Sequence, residues 1–251
     1  MPDEIPVKAV RTTFEILQTL SRHGTLTFSD LVERLDQPKS TVYDHLQSLK
    51  FLGYVHETDA GYQISFEFLL IGDRRRSNTE LFANARSELD ELAAKTGEHI
   101  SLLVEENGKG RTIYTIQGEN SIDFKVYDGA QSQLVQTAPG QAVLANLPHE
   151  RIVEILDENG LSQNDTGINR GEFLDTLETV RDQGFAIDEQ NAIHGMNGIG
   201  VPIVDKEERV QGALSVYGPV GRMGRDRMRG ELVEKLQQKA NIIELNLDFS
   251  R

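Results

Sequence analysis

The sequence predicts an α+β protein in two parts, a small helical domain closed by a hairpin and a larger domain of interleaved strands and helices. Three observations lead there. Residues 7–49 carry three short helical apolar patterns, a two-strand pattern with a turn follows over 54–65, and after Thr96-Gly97 the apolar spacing changes from helical to strand-like. The chain has 251 residues, enough for two domains, and its 38% hydrophobic content is that of a globular protein. Cysteine is absent, which excludes disulfides, thiolate nucleophiles and cysteine-ligated zinc. No apolar run approaches the ~18 residues of a membrane span. The acidic start Met1-Pro2-Asp3-Glu4 lacks the apolar core of a secretory signal, so a cytoplasmic protein without membrane attachment is expected.

Taken in order, residues 7–21 place Val10, Phe14, Leu17 and Leu20 at helical spacing, and His23-Gly24 ends that helix. Thr27 with Asp30 three residues on reads as a capping box for a second helix over 28–35, with Asp where Glu is usual. Asp36-Gln37-Pro38 is a turn. A third helix over 39–49 turns Val42, Leu46 and Leu49 inward. Strands near 54–57 and 62–65 are joined by Thr58-Asp59-Ala60-Gly61. A long helical stretch over 66–95 is softened near Gly72 and Ser77-Asn78, and its polar run Asp73-Arg74-Arg75-Arg76 marks a linker. Leu81, Phe82, Leu89 and Leu92 of this stretch offer an apolar surface for self-association. Strands are then expected at 99–105, 112–117 and 123–127, helices at 141–147, 150–158 and 170–183, strands at 185–188, 199–204 and 210–217, and a final amphipathic helix at 225–247. The expected domains are 1–66, a linker helix over 67–83, and 84–251.

Three helices followed by a hairpin form the winged helix-turn-helix pattern. The short turn at 36–38 lets the third helix project its N-terminal end toward a DNA major groove about 12 Å wide. Its outward side carries Lys39, Ser40, Thr41, Tyr43, Asp44 and Gln47, with the wing at Thr58 to Gly61 in support. Ser40 and Thr41 are short donors suited to phosphates or base edges. The plainer alternatives are that Ser40 caps a helix and Tyr43 packs.

Charge bears on this reading. The net charge of −14 is unevenly spread: residues 1–76 hold 9 basic and 11 acidic residues, while 77–251 hold 17 basic and 29 acidic. The segment read as DNA-binding is therefore near neutral, although affinity for DNA ordinarily comes from Lys and Arg on phosphates. Only 9 lysines stand against 17 arginines. Low lysine with abundant carboxylate points to a salty cytoplasm, where strong charge keeps a protein soluble. The six histidines show no metal spacing, and no metal or cofactor is expected. Gly195 to Gly200 is glycine-rich but lacks the strand-then-helix context of a dinucleotide loop. Asp188-Glu189 has the form of a catalytic carboxylate pair, yet no nucleophile and base accompany it.

These segments resemble one known family. Leu26-Thr27-Phe28-Ser29-Asp30-Leu31, Pro38-Lys39-Ser40-Thr41-Val42, Leu49 to Val55 and Gly61-Tyr62-Gln63-Ile64 are similar to the DNA-binding domain of IclR-type (isocitrate lyase regulator) transcription factors. Thr137 to Ala145, Gln183 to Glu189, Gly195 to Ile203 and Ala213 to Pro219 resemble that family's effector-domain signatures, in the same order. The resemblance implies a winged helix, a linker helix and a GAF-like α/β effector-binding domain. It also implies a homodimer or dimer of dimers on double-stranded operator DNA, a small-molecule effector, and no enzymatic activity. The charge pattern adds a halophilic archaeon as the source. Carried over by position, the effector site comprises Thr137, Ala138, Gly140, Gln141, Asp188, Met196, Ser215 and Tyr217. Departures are Asp36 for a common glycine, Asp44 for a frequent basic residue, Gln141 for lysine, Gly198 for cysteine and Tyr217 for serine. Thr137 would cap a helix whose Gly140 and Gln141 amides favour an anion, so a carboxylate-bearing effector is expected. An enzyme built on the sensor domain would need a catalytic constellation, and a DNA-organising protein a basic surface; neither is present in the sequence.

Overall fold

The fold was obtained as a computed structural model, and the structure describes residues 5–122, 126–158 and 169–249. It consists of two compact units, residues 1–75 and 76–251. The smaller contains α1 (Lys8–His23), α2 (Phe28–Arg34), α3 (Lys39–Phe51), β1 (Val55–Thr58), β2 (Gly61–Ile64) and most of α4 (Glu67–Ser77). This is a winged helix-turn-helix. Its core joins Ile16, Leu17 and Leu20 of α1 to Leu31, Val42, Leu46, Leu49 and Tyr62. Two residues of the apolar pattern along α1 lie outside the core: Val10 is 48% and Phe14 54% exposed. The stripe that α1 buries instead runs through Thr12, Ile16, Leu17 and Leu20.

Local signals hold these helices in place. The capping box at α2 is formed, with Asp30 N–H donating to Thr27 Oγ1 (3.2 Å) and Thr27 N–H to Asp30 Oδ2 (3.0 Å). Thr13 Oγ1 and His45 Nδ1, 2.8 Å apart, tie α1 to α3. Leu26 and Tyr62 exchange backbone hydrogen bonds of 3.0 and 2.8 Å, adding a third short extended segment to the hairpin. Gly61 sits at φ +129°, and a Cβ there would overlap the Leu26 carbonyl, so glycine is required where the wing meets the helical core. Gly72 does not interrupt α4, which runs on to Ser77; the break falls at Asn78-Thr79.

The larger unit contains α5 (Glu80–Thr96), β3 (His99–Glu106), β4 (Lys109–Gln117), β5 (Gln131–Ser132), α6 (Ala138–Ala145), α7 (His149–Glu158), α8 (Arg170–Gln183), β6 (Ala186–Glu189), β7 (Met196–Val204), β8 (Val210–Pro219), α9 (Arg225–Arg227), a wide π-helical turn Met228–Leu232, and α10 (Val233–Phe249). One antiparallel sheet in the order β5-β4-β3-β8-β7-β6 separates two helical layers. Ile100, Leu102, Ile199, Val201, Leu214 and Val216 face α5 and α10. Leu103, Ala186, Ala213 and Tyr217 face α6 and α8. Strand alternation produces both layers from one sheet.

Several expectations need correction. Leu81, Phe82, Leu89 and Leu92 of α5 are buried, between 0% and 6% exposed, so they form core and not a surface for a partner. Of the strand expected at 123–127, residues 123–125 lie outside the described residues, and Val126 and Tyr127 are not in a strand. The edge beside β4 is taken by β5. Helix α6 starts at Ala138, three residues before the expected position, because Thr137 caps it. Strand β7 begins inside the glycine-rich run as expected, but at Met196, three residues before the expected 199.

Glu98 anchors the start of β3. It is 1% exposed and accepts from Arg222 Nε (3.0 Å) and Nη2 (2.8 Å) and from Arg227 Nη1 (2.9 Å). Burial pushes its carboxyl up, but the two guanidinium groups outweigh burial and hold it below the ordinary glutamate range. A depressed folded pKa adds stability above the unfolded value, and that stability is lost as pH falls through the folded value. Glu98→Gln is expected to cost about 1–3 kcal/mol at pH 7 and to cost less at pH 4 than at pH 7, read from denaturant unfolding at both pH values. An equal cost at both would contradict the ion-pair account.

Candidate nucleic-acid interface and ligand cavity

Helix α3 is held from below by fully buried Val42 and Leu46 and nearly buried Leu49, which leaves its other side to solvent. Lys39, Ser40, Tyr43 and Asp44 are exposed, and Thr41 and Gln47 are half-buried. Pro38 occupies the cap position and provides no side-chain cap, so Ser40 is within the helix and does not cap it. Lys39 makes no ion pair among the described residues, whereas Lys50 at the other end of α3 pairs with Glu57 of the wing. Tyr43 packs edge-on against Phe28, with ring centroids 6.2 Å apart at 85°, while remaining 51% exposed. In the wing, Thr58 Oγ1 donates to the Gly61 carbonyl (3.0 Å) and accepts from Ala60 N–H (3.3 Å). Thr58 and Gly61 thus shape the turn that presents the wing tip.

The larger unit contains a cavity of about 400 Å³ between the sheet and the start of α6. Sheet register builds its floor. Across neighbouring strands Asp188 pairs with Gly198, Gly198 with Tyr217, and Tyr217 with His99; in the next row Ser215 pairs with Ser101. Residues paired in this way point to the same side of the sheet. Asp188 and Tyr217 are two strands apart, roughly 9.5 Å at ~4.8 Å per strand. The tyrosine can span that distance because residue 198 is glycine; a Cβ there would overlap its ring. Its hydroxyl donates to Asp188 Oδ2 (3.0 Å) and accepts from Ala138 N–H (3.1 Å) at the first residue of α6.

Burial, with the Asp188 carboxylate beside it, pushes the Tyr217 phenol well above its ordinary value. Burial also raises Asp188, opposed by donors from Asn191, Tyr217 and Ala192. His99 lines the cavity at 2% exposure, and burial lowers its imidazole to about 4, so it is neutral at pH 7. Ser101 Oγ and Ser215 Oγ lie 2.6 Å apart. No group of three or more His, Asp or Glu side chains among the described residues is placed to hold a metal ion.

Of the eight positions expected at the effector site, Thr137 and Tyr217 line the cavity directly. Ala138 and Asp188 hold the Tyr217 hydroxyl, and Ser215 holds Ser101. Gly140 is buried, and a Cβ there would overlap the Leu134 backbone. Gln141 Nε2 donates to the Val135 carbonyl (2.9 Å), and Met196 belongs to the apolar core. The Gly140 and Gln141 amides expected to be open to a ligand are engaged, the first by Thr137 Oγ1 (3.1 Å) and the second by the Thr137 carbonyl (2.9 Å). The sequence reading missed the far wall, which includes His99, Ser101, Thr112, Ser132 and Gln136. Alternation along 99–103 carries part of that signal, but the register that sets His99 opposite Tyr217 does not follow from spacing.

Comparison with known proteins agrees with this architecture. Residues 9–59 match the family described as IclR helix-turn-helix domain, and residues 75–245 match bacterial transcriptional regulator IclR C-terminal. The chain is 31% identical over 248 residues to the probable HTH-type transcriptional regulator ArcR of Halobacterium salinarum, covering 96% of this chain and 94% of that protein. Among solved structures it is similar to the Thermotoga maritima IclR, with TM-score 0.81 and 24% identity over 96% of this chain and 98% of that one. An IclR homologue from Microbacterium hydrocarbonoxydans, solved in complex with 4-hydroxybenzoate, is similar with TM-score 0.77 and 20% identity, covering 95% and 98% of the two chains. With both of its domains matched in order and a relative of this identity along nearly its whole length, the chain belongs to the IclR family of transcriptional regulators.

Proposed function

We propose that this regulator binds operator DNA through α3 and the wing and is controlled by a small organic molecule held in the cavity of its larger unit, adjusting genes that handle that molecule. The observation that carries the reading is α3 itself, a helix fixed by Val42, Leu46 and Leu49 with its N-terminal polar side open to solvent. Lys39 would meet phosphate, while Thr41 and Gln47 would reach base edges. Asp44 would accept from a cytosine amino group or repel other sequences. The effector would act by binding the DNA-competent and incompetent states unequally.

A single winged helix reads few base pairs, so the active form would be a homodimer or dimer of dimers on paired half-sites. Exposed apolar side chains supply a surface for a second copy: Val10 and Phe14 on α1, and Phe66 and Leu69 at the start of α4. These replace the α5 residues, which are core. Among the described residues no helix is long and apolar enough to cross a membrane, and the protein would act in the cytoplasm beside its DNA.

Replacing Lys39, Thr41 and Gln47 together by Ala is expected to weaken operator binding by at least about 30-fold, at about 1–3 kcal/mol for each of the two lost base contacts, while leaving the thermal unfolding profile unchanged. Fluorescence anisotropy on an operator found by genome-wide binding-site mapping measures it. Wild-type affinity in the folded triple variant would refute the assignment.

Salt dependence gives a second check. Each phosphate contact adds about 0.9 to the slope of log affinity against log salt. A near-neutral binding segment is expected to show a slope of only a few, with base contacts carrying the specificity. A slope near that of about ten phosphate contacts would contradict the reading.

A further inference from the structure

We propose that the cavity takes an uncharged polyhydroxylated molecule, a sugar or polyol, and discriminates against the matching carboxylate; this rests on the sensing role proposed above and names the chemistry of its ligand.

The argument begins at the start of α6, where an anion would ordinarily dock. Every backbone donor there is already engaged by the chain. Ala138 N–H donates to Tyr217 Oη, Pro139 has no N–H, Gly140 N–H donates to Thr137 Oγ1, and Gln141 N–H donates to the Thr137 carbonyl. Behind the tyrosine stands the buried Asp188 carboxylate. The described lining residues include no Lys or Arg. Lys109 lies outside the lining, and its Nζ is bonded to Gln133 Oε1 at 3.0 Å. His99, neutral above about pH 4, adds no charge to the lining. A carboxylate entering this cavity would lose its hydration and meet no Lys or Arg among the described lining residues.

What the cavity does offer is neutral hydrogen bonding at close spacing. Ser101, Thr112, Ser132 and Thr137 provide hydroxyls, and Gln133 and Gln136 provide amides. Ser132 Oγ is buried and has no hydrogen-bond partner among the described residues, a deficit that a ligand hydroxyl would remove. With its hydroxyl engaged on Ala138 and Asp188, Tyr217 offers the cavity its ring. Leu103, Pro139 and Ile193 continue the apolar side. An aromatic and aliphatic wall opposite a row of hydroxyls matches a molecule with C–H faces and a hydroxyl rim. The volume of about 400 Å³ lies toward the lower end of the ~300–1,000 Å³ range of small-molecule sites.

The test is calorimetric titration of the full chain with matched pairs that differ in charge: D-xylose and D-xylonate, D-glucose and D-gluconate, D-galactose and D-galactonate, with 4-hydroxybenzoate alongside. One neutral member is expected to bind at least about tenfold tighter than its acid, the scale of a charge left without a partner. Ser132→Ala removes a hydroxyl without a partner among the described residues, so it is expected to leave the melting temperature unchanged and weaken that binding about tenfold. Thr112→Val, which preserves shape, is the second variant and is expected to weaken it similarly. Tighter binding of an acid, or of 4-hydroxybenzoate alone, overturns the ligand class and leaves the sensing role standing. Unchanged affinity in both variants puts the ligand outside this cavity and overturns the assignment. If no compound of either series binds to protein that still binds DNA, the ligand class and the sensing role fall together.

Discussion

Tyr217, laid across Gly198 to reach Asp188 and the first amide of α6, is the contact on which the larger unit of this protein depends. It is a consequence of register: β6, β7, β8 and β3 align Asp188, Gly198, Tyr217 and His99 in one row. Gly200 continues the logic in the next row, where a Cβ would overlap the backbone at Ala138 and Pro139. Two glycines therefore let α6 lie close against the sheet, and one tyrosine fixes its end. A buried hydroxyl with both a donor and an acceptor satisfied adds rigidity where an unpaired one would be costly. The remaining space, bounded by β3, β4 and β5, becomes the cavity.

The two units use charge differently. In the larger, cations are largely engaged by carboxylates: Arg222 and Arg227 on Glu98, Arg209 on Asp205, Arg151 on Glu105, Arg225 on Glu189, and Lys239 on Glu88 and Glu91. Most of these pairs are partly exposed and contribute little each, but they leave the acidic surplus unneutralised elsewhere on the surface. In the smaller unit charges nearly balance, and Lys39, at the end of α3 that would face DNA, makes no ion pair among the described residues. That division separates solubility from recognition.

The winged helix was legible in the sequence because its signals are local. A capping Thr three residues before Asp, a Pro at the head of the third helix and a four-residue turn ending in Gly each specify geometry within a few residues. Val10 and Phe14 misled because helical spacing identifies a stripe but not which end of it meets the core. Leu81, Phe82, Leu89 and Leu92 misled because an apolar stripe reads alike whether it meets a sheet or a second copy. The cavity was half legible. Motifs around Thr137, Asp188 and Tyr217 pointed to one wall, but His99, Ser101 and Ser132 lie on strands whose pairing is long-range. The closed amides at Gly140 and Gln141 are local, taken by the hydroxyl and carbonyl of the capping Thr137, and follow from the cap itself; only the fold brings Tyr217 to Ala138.

A double-mutant cycle between Tyr217→Phe and Asp188→Ala, read from denaturant unfolding of the larger unit within the full chain, tests the central contact most directly. If the tyrosine hydroxyl is held by the buried carboxylate, the two substitutions will be non-additive by about 1.5–3 kcal/mol, the range for a hydrogen bond to a charged group. Additivity within about 0.5 kcal/mol would mean that Tyr217 and Asp188 act independently and that the start of α6 is not closed in this way.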